Sequence, residues 1–354
     1  MSKFIAVDAF CGAGGLSLGL AKAGFTVSLS FDLEALCGQV FSSNKKYHDH
    51  AFVCSDVRDM LKGRLLKLSG LKKGQVDLLA GGPPCQGFSI QRTIGKDNDP
   101  RNLLVDDYAG LILEVKPRFF ILENVPGIGG HRGREILEKF IQKMNENGYY
   151  CHQALLDAQD FGVPQRRKRI VVVGELTNGE EPVFKWPKPV SDSARKTVRD
   201  AISHLPAPPT DGSEHPKFRF HRADKLSKIN IERIRSIVAG QSRVDLPKKL
   251  WAKSHHISAE VAGHRNVYGR MEWDDVSPTI TARFDSFTRG KFGHPTQDRS
   301  ISLLEGALLQ SFPSDYVFVG NKVDIARQIG NAVPPLMAKA IGLSIISALK
   351  SKER

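Results

Sequence analysis

The sequence predicts an α/β fold on a doubly wound, mostly parallel sheet, and three observations carry that prediction. Short apolar runs recur through the first half of the chain and alternate with helical patterns. The first run, Phe4-Ile5-Ala6-Val7, enters a glycine-rich turn, Asp8-Ala9-Phe10-Cys11-Gly12-Ala13-Gly14-Gly15, and a helical pattern follows. Strand, glycine-rich turn and helix in that order form the nucleotide-binding opening of such sheets. The next two runs end in acids, Asp32 and Asp56, where a purine nucleoside's hydroxyls and amine could be held.

The 354 residues suffice for a large core and two domains. Hydrophobic residues make up 41% and charged residues 25%, the balance of an ordinary globular chain. No run of about 18 apolar residues calls for a membrane span. The first residues lack the apolar core and cleavage site of a signal peptide, so a cytosolic location is expected. Five cysteines, at 11, 37, 54, 85 and 151, form no Cys-x-x-Cys pair. That spacing argues against zinc and against a disulfide framework, and for a reducing compartment. The net charge of +13 is lopsided: residues 163–300 hold 26 Lys and Arg against 16 Asp and Glu. A basic surface confined to one region is the footprint of a polyanion, nucleic acid above all. A basic surface that serves only solubility is the alternative.

Taken in order, residues 16–23 form a helix with Leu16, Leu20 and Ala23 on one face, closed by Gly24. The preceding turn lacks the G-x-G-x-x-G spacing of a dinucleotide or pyrophosphate site. A second strand over 26–31 delivers Asp32, and a third over 51–54 ends at Asp56-Val57. Each acid alone would read as a turn or cap residue; three at successive strand ends outline a nucleoside pocket. A fourth strand over 76–80 runs into Gly81-Gly82-Pro83-Pro84-Cys85-Gln86-Gly87-Phe88-Ser89. Two glycines and two prolines stop that strand abruptly and present one cysteine, a strong nucleophile as its thiolate. The bland reading is a small buried hydrophobe.

A helix over 104–115 leads to a fifth strand over 118–122, which ends in Glu123-Asn124-Val125-Pro126-Gly127. Glu123 is either a helix cap or an active-site acid one strand from Cys85. A helix over 135–147, a sixth strand over 151–157 and a seventh over 170–173 follow. The seventh is entered through Gln165-Arg166-Arg167-Lys168-Arg169, where alternation turns Arg167 and Arg169 to one side. Beyond 180 the chain is rich in Pro, Gly, Arg and Lys, with hinges expected at 206–209 and 211–212 and one helix at 226–238. Residues 335–349 form an amphipathic helix.

These blocks, in this order, resemble the DNA (cytosine-5)-methyltransferase family of the bacterial restriction-modification type. The glycine turn from Asp8 resembles its methyl-donor loop and Pro83-Pro84-Cys85-Gln86 its nucleophile block. Glu123-Asn124-Val125 and Gln165-Arg166-Arg167-Lys168-Arg169 match the next two. The last two are Arg299 to Pro313, with Glu305, and Arg327-Gln328-Ile329-Gly330-Asn331-Ala332-Val333-Pro334. The likeness covers residues 4–174 and 277–346 and departs from the family at Asp32, where Glu is usual, and at Leu33, where an aromatic is usual.

The resemblance implies a class I methyltransferase sheet over residues 1–180 and a smaller target-recognition domain over 181–276. The C-terminal blocks over 277–354 would send the last helix back to the catalytic domain. It implies Cys85, Glu123, Arg167 and Arg169 as catalytic residues. S-adenosylmethionine, leaving as S-adenosylhomocysteine, would be held by Asp8, Phe10, Gly12, Gly14, Gly15, Asp32, Leu33, Asp56, Val57, Pro84, Leu104, Asn331 and Val333. No metal is implied. Double-stranded DNA would meet Gln86, Ser89, Gln91 and Arg92. In the loop Gly263-His264-Arg265-Asn266-Val267-Tyr268-Gly269-Arg270, Arg265 or Arg270 is expected to read a base edge. The target cytosine would be flipped out of the duplex. A monomer in the bacterial cytosol is expected, sharing its site with a restriction endonuclease. The same chemistry on tRNA, a binding protein without catalysis and an NAD oxidoreductase are the rival readings. About 95 residues of basic central region, an intact set of catalytic blocks and the missing G-x-G-x-x-G argue against them in turn.

Overall fold

The structure, a computed structural model, describes residues 4–84, 103–130, 133–209, 211–251 and 266–353. The chain forms two compact units. The first joins Met1–Asp157, Lys168–Pro189 and Val333–Arg354; the second joins Ala158–Arg167 and Val190–Ala332.

The first unit carries β1 (Ile5–Ala9), α1 (Gly15–Ala23), β2 (Thr26–Asp32), α2 (Ala35–Ser43), β3 (Ala51–Cys54), α3 (Arg64–Ser69) and β4 (Leu78–Gly81). It continues with α4 (Leu103–Val115), β5 (Phe119–Asn124), α5 (Arg134–Glu146), β6 (Tyr149–Asp157) and β7 (Lys168–Leu176). Among the described residues these make one seven-stranded sheet in the order β3-β2-β1-β4-β5-β7-β6. The first five strands are parallel, whereas β7 runs antiparallel to both β5 and β6. The expected doubly wound sheet is therefore observed, with an antiparallel pair closing one edge.

Both sheet faces are covered, which is why its strands read as unbroken apolar runs rather than as alternation. Val7, Ala9, Leu29, Phe31, Leu79, Phe120 and Leu122 share a core with Tyr108, Ile112 and Val115 of α4 and Leu137, Phe140 and Met144 of α5. Successive side chains point to opposite faces, so Asp8 faces the other way, towards Ser17 of α1. That side is completed by the last helix, α10 (Pro335–Ser351), which packs along α1. A Cβ added at Gly19 would lie 2.4 Å from Ala338 Cβ and 2.5 Å from the Pro335 carbonyl, so the two helices touch backbone to backbone. At the far end of α10, Lys352 donates to the Leu176 carbonyl at 3.0 Å and pairs with the buried Glu175 at 2.9 Å.

The second unit contains α6 (Val198–Ile202), α7 (Lys228–Arg235), α8 (Leu303–Leu309) and α9 (Lys322–Asn331). The division differs from boundaries at 180 and 276. The stretch to 189 stays with the sheet, and residues 277–332 pack with the central segment because α8 contacts both α6 and α9. The helix expected over 226–238 shrinks to α7, with Val238 66% exposed. The chain leaves the helix after Arg235 and buries Ile237 with Ile234, Leu246, Leu250, Val267, Tyr268 and Phe287. Lys322–Ser351 is apolar and long enough to cross a membrane by composition. It is instead broken between α9 and α10, and its apolar side chains are buried within the two units.

Candidate active site

Parallel strands bring their carboxyl ends to one sheet edge, and α/β sheets hold ligands there. Register sets this edge: Ala9 lies beside Phe31 and Gly81, Asp32 beside Cys54, and Gly81 beside Leu122. The glycine turn thus emerges between β2 and β4. Within it Phe10, Gly12 and Gly14 take left-handed backbone with φ of 56°, 53° and 78°. Gly14 caps α1, Gly15 is its first residue, and nothing lies within 4 Å of a Cβ built on Gly12. The turn is a backbone cradle with open space at its centre.

Asp32 anchors that cradle from the end of β2. Its Oδ2 accepts from the Gly12 amide and its Oδ1 from the Glu34 amide, each at 2.9 Å. Each carboxylate oxygen has a second lone pair for another donor. Leu33 beside it is 68% exposed. Asp56, after β3, caps the turn at Val57–Met60. Its two oxygens also take a bidentate Arg58 guanidinium at 2.8 and 2.7 Å, which holds the carboxyl below its ordinary range. Nothing in the sequence marked Arg58 for this place. The Val57 side chain is buried in the core rather than offered to a ligand. Leu104 and Pro84 are half-buried and Val333 lies just before α10. Asn331, exposed at the end of α9, belongs to the second unit.

Asp8 does not face the cradle. It is fully buried, accepts a short hydrogen bond from Ser17 Oγ, and Ser17 Oγ continues to Ser30 Oγ at 3.0 Å and on to His50 Nε2 at 2.8 Å. Its other oxygen has no partner among the described residues, and burial pushes its carboxyl up to about 7. The expectation that Asp8 contacts the donor is corrected: the strand's alternation turns it into the α1 face.

On the other side of β4, Glu123 ends β5 with its Oε1 accepting from Arg169 Nε at 2.9 Å. Both side chains are nearly buried, at 13% and 11% exposure. The Glu123 Oε2 lies 3.2 Å from where a Cβ of Gly82 would stand, so glycine lets the turn run close to the acid without pushing its carboxylate aside. Asn124 beside it donates from Nδ2 to the Pro83 carbonyl at 2.9 Å, tying the turn before Cys85 to β5. Nothing in the sequence distinguished Asn124 from its motif neighbours. Cys85, Gln86, Ser89, Gln91, Arg92 and Arg265 lie outside the described residues. Burial raises the thiols of Cys11 and, up to about 12, of Cys151, which suits inert cysteines.

Two arginines take structural places instead of reactive ones. Arg167 is 1% exposed and donates to the carbonyls of Ile280, Gly330 and Ala332 at 2.9, 2.9 and 3.1 Å. Its guanidinium joins three chain segments of the second unit, so the catalytic expectation for Arg167 is corrected. Gln165 does similar work, fully buried against Gln310, Leu309 and the Ile280 amide. Arg270 is 5% exposed and donates to the carbonyls of Ile234, Ile237, His294 and Gln297 and to Asp298. Four of its five N–H donors are spent inside the protein and its guanidinium is buried, so it is not presented to a base edge, and that expectation is corrected too.

The family profile described as "C-5 cytosine-specific DNA methylase" matches residues 4–347. The chain is 36% identical over 346 residues to the Type II methylase M.HgiDII of Herpetosiphon aurantiacus, covering 96% of this chain and 94% of that protein. It is 34% identical over 342 residues to the Type II methyltransferase M1.HphI of Haemophilus parahaemolyticus, covering 96% and 86%. An E. coli prophage protein described as a DNA modification methyltransferase superposes with a TM-score of 0.74 at 25% identity, covering 98% of this chain and all of that one.

Proposed function

The chain belongs to the C-5 cytosine-specific DNA methylase family, and we propose that it methylates carbon 5 of a flipped-out cytosine through a covalent adduct on Cys85. The observation that carries the residue assignment is the nearly buried Arg169–Glu123 pair, set against Gly82 in the turn that leads to Cys85.

Cytosine's carbon 5 is a weak nucleophile. Addition of the Cys85 thiolate at carbon 6 breaks the ring's aromaticity and moves electron density to carbon 5. Glu123 accepts from the exocyclic amine and, carrying a proton on its other oxygen, donates it to the ring N3, which neutralises the charge that develops during addition. Arg169 orients that carboxylate and can reach the base's O2 or a flanking phosphate. Carbon 5 then takes a methyl group from a sulfonium donor, whose S–CH3 bond breaks and which leaves as the thioether; loss of the carbon 5 proton to water and elimination of the Cys85 thiolate restore the ring. A stacked base cannot reach these groups, so the duplex must release it.

S-adenosylmethionine supplies an electrophilic methyl group on a sulfonium. The open cradle fits such a donor: Gly12, Gly14 and Gly15 offer backbone, Asp32 has lone pairs for ribose hydroxyls, and Asp56 faces the adenine amine. Phe10, Leu33, Pro84, Leu104 and Val333 complete the donor's contacts in this reading. The sequence of steps calls for no metal. Gln86, Ser89, Gln91, Arg92 and Arg265 are assigned to DNA. A restriction endonuclease acting on the same site is proposed as the functional partner, with no direct contact, and the enzyme as a cytosolic monomer.

Cys85→Ser tests the assignment, because an alkoxide is far less available than a thiolate near neutral pH. Methyl transfer to DNA should fall to background while donor binding persists. Transfer near the wild-type rate would remove the covalent step.

A further inference from the structure

Tyr108 has no part in the chemistry above, yet it touches three of the elements that carry it. It sits on α4 and is fully buried. Its ring lies edge-on to Phe10 of the glycine turn, with centroids 5.9 Å apart and planes at 73°. The same ring closes on Gly81, where a Cβ would come within 3.0 Å of it. Its hydroxyl donates towards two carbonyls, of Leu79 in β4 at 3.0 Å and of Ile121 in β5 at 2.8 Å. One phenolic proton is shared between two acceptors, so the hydroxyl acts as a pin between neighbouring strands.

Those strands are the pair that matters: β4 runs into the turn before Cys85, and Glu123 stands two residues beyond Ile121. We propose that Tyr108 is a positioning residue for methyl transfer, holding the donor turn, the end of β4 and the end of β5 in register with one another. The inference depends on the assignment of Cys85 and Glu123 given above. A phenylalanine would fill the same volume and keep the edge contact with Phe10, so the hydroxyl is the part that only register requires. Small displacements of reacting groups lower rates steeply without any loss of binding, because the cost lies in alignment.

The test is Tyr108→Phe in the full-length enzyme, read by single-turnover methyl transfer at saturating donor and DNA, with donor and DNA affinities measured separately. The expected result is a rate lower by on the order of ten- to a hundredfold with both affinities near wild type. A wild-type rate, or a rate loss matched by loss of donor binding, overturns the proposal. Gly81→Ala provides a second route should Tyr108→Phe not fold, since its methyl would press on the ring at Cε2 and Cζ without removing the hydroxyl. It too should lower the single-turnover rate at unchanged donor affinity, and a full rate there counts against the proposal. Cys85→Ser separates the two claims. Activity in that variant sinks the site assignment itself, whereas an inactive Cys85→Ser beside a fully active Tyr108→Phe sinks only the role of Tyr108.

Discussion

At the scale of single residues, Asp8 is a fully buried acid on β1. A fully buried carboxyl with one oxygen bonded to Ser17 and the other without a partner among the described residues is easier to bury neutral than charged. With its pKa raised to about 7, the folded state holds a proton that the unfolded chain has already lost above pH 4. The sign follows: the favourable contribution is complete below about pH 4 and is lost as pH rises towards 7. Asp8→Asn cannot titrate, so its stability relative to wild type should improve by about 3 kcal/mol between pH 5 and pH 8. Thermal or urea unfolding at the two pH values measures this. A difference that stays constant with pH would mean that Asp8 is ionised in the fold. The motif containing Asp8 was legible in the sequence, but not the direction in which the side chain points, because a one-residue shift along a strand reverses its face.

At the scale of elements, the packing of α1 on α10 joins the two ends of the chain. Small residues make it possible: Gly19 against Ala338 and Pro335, and Gly342 against Ala23 at 2.8 Å from an added Cβ. Gly19→Ala gains helix propensity yet drives a methyl into neighbouring backbone, and overpacking of this kind costs about 1–3 kcal/mol. The expected outcome is a lower melting temperature, with the hydrogen bond from Gly12 to Asp32 left in place. A variant as stable as wild type would show that the helices can slide apart at little cost. The amphipathic pattern of the last helix was readable from its residues. Its partner was not, since any apolar helix face can cover any apolar sheet face of similar size.

At the scale of the whole molecule, the positive charge concentrates in the central part of the chain, and its cations divide by burial. Arg167, Arg233, Arg243, Arg270 and Arg299 are buried, where they bond carbonyls, acids or aromatic faces. Lys248 and Lys249 are exposed. Replacing Lys248 and Lys249 together by Ala should weaken all DNA sequences alike. The slope of log Kd against log salt should flatten by roughly one for each phosphate that is no longer neutralised. Arg270→Ala should instead unfold the second unit, since it would take a donor from the buried carbonyls of Ile234, Ile237 and His294 and one of the two cations from Asp298. Filter binding across a salt series, beside a melting curve for each variant, checks both. A change of base preference in Arg270→Ala at full stability would return that residue to the bases.

Local information in the sequence was enough to determine the order of strands and turns, the glycine cradle, the acids at strand ends and the family. Each depends on residues adjacent in the chain or on a period of two. What tertiary structure alone decided is which cations are consumed internally and which side chain aligns the reacting strands. Arg167 finds its acceptors 113 to 165 residues away, at carbonyls of the last turn of α9 and of irregular chain. Tyr108 finds its own at Leu79 and Ile121, through strand register. Backbone carbonyls are the same in every residue, so no residue code marks the ones that will lack a partner until the chain has folded around them.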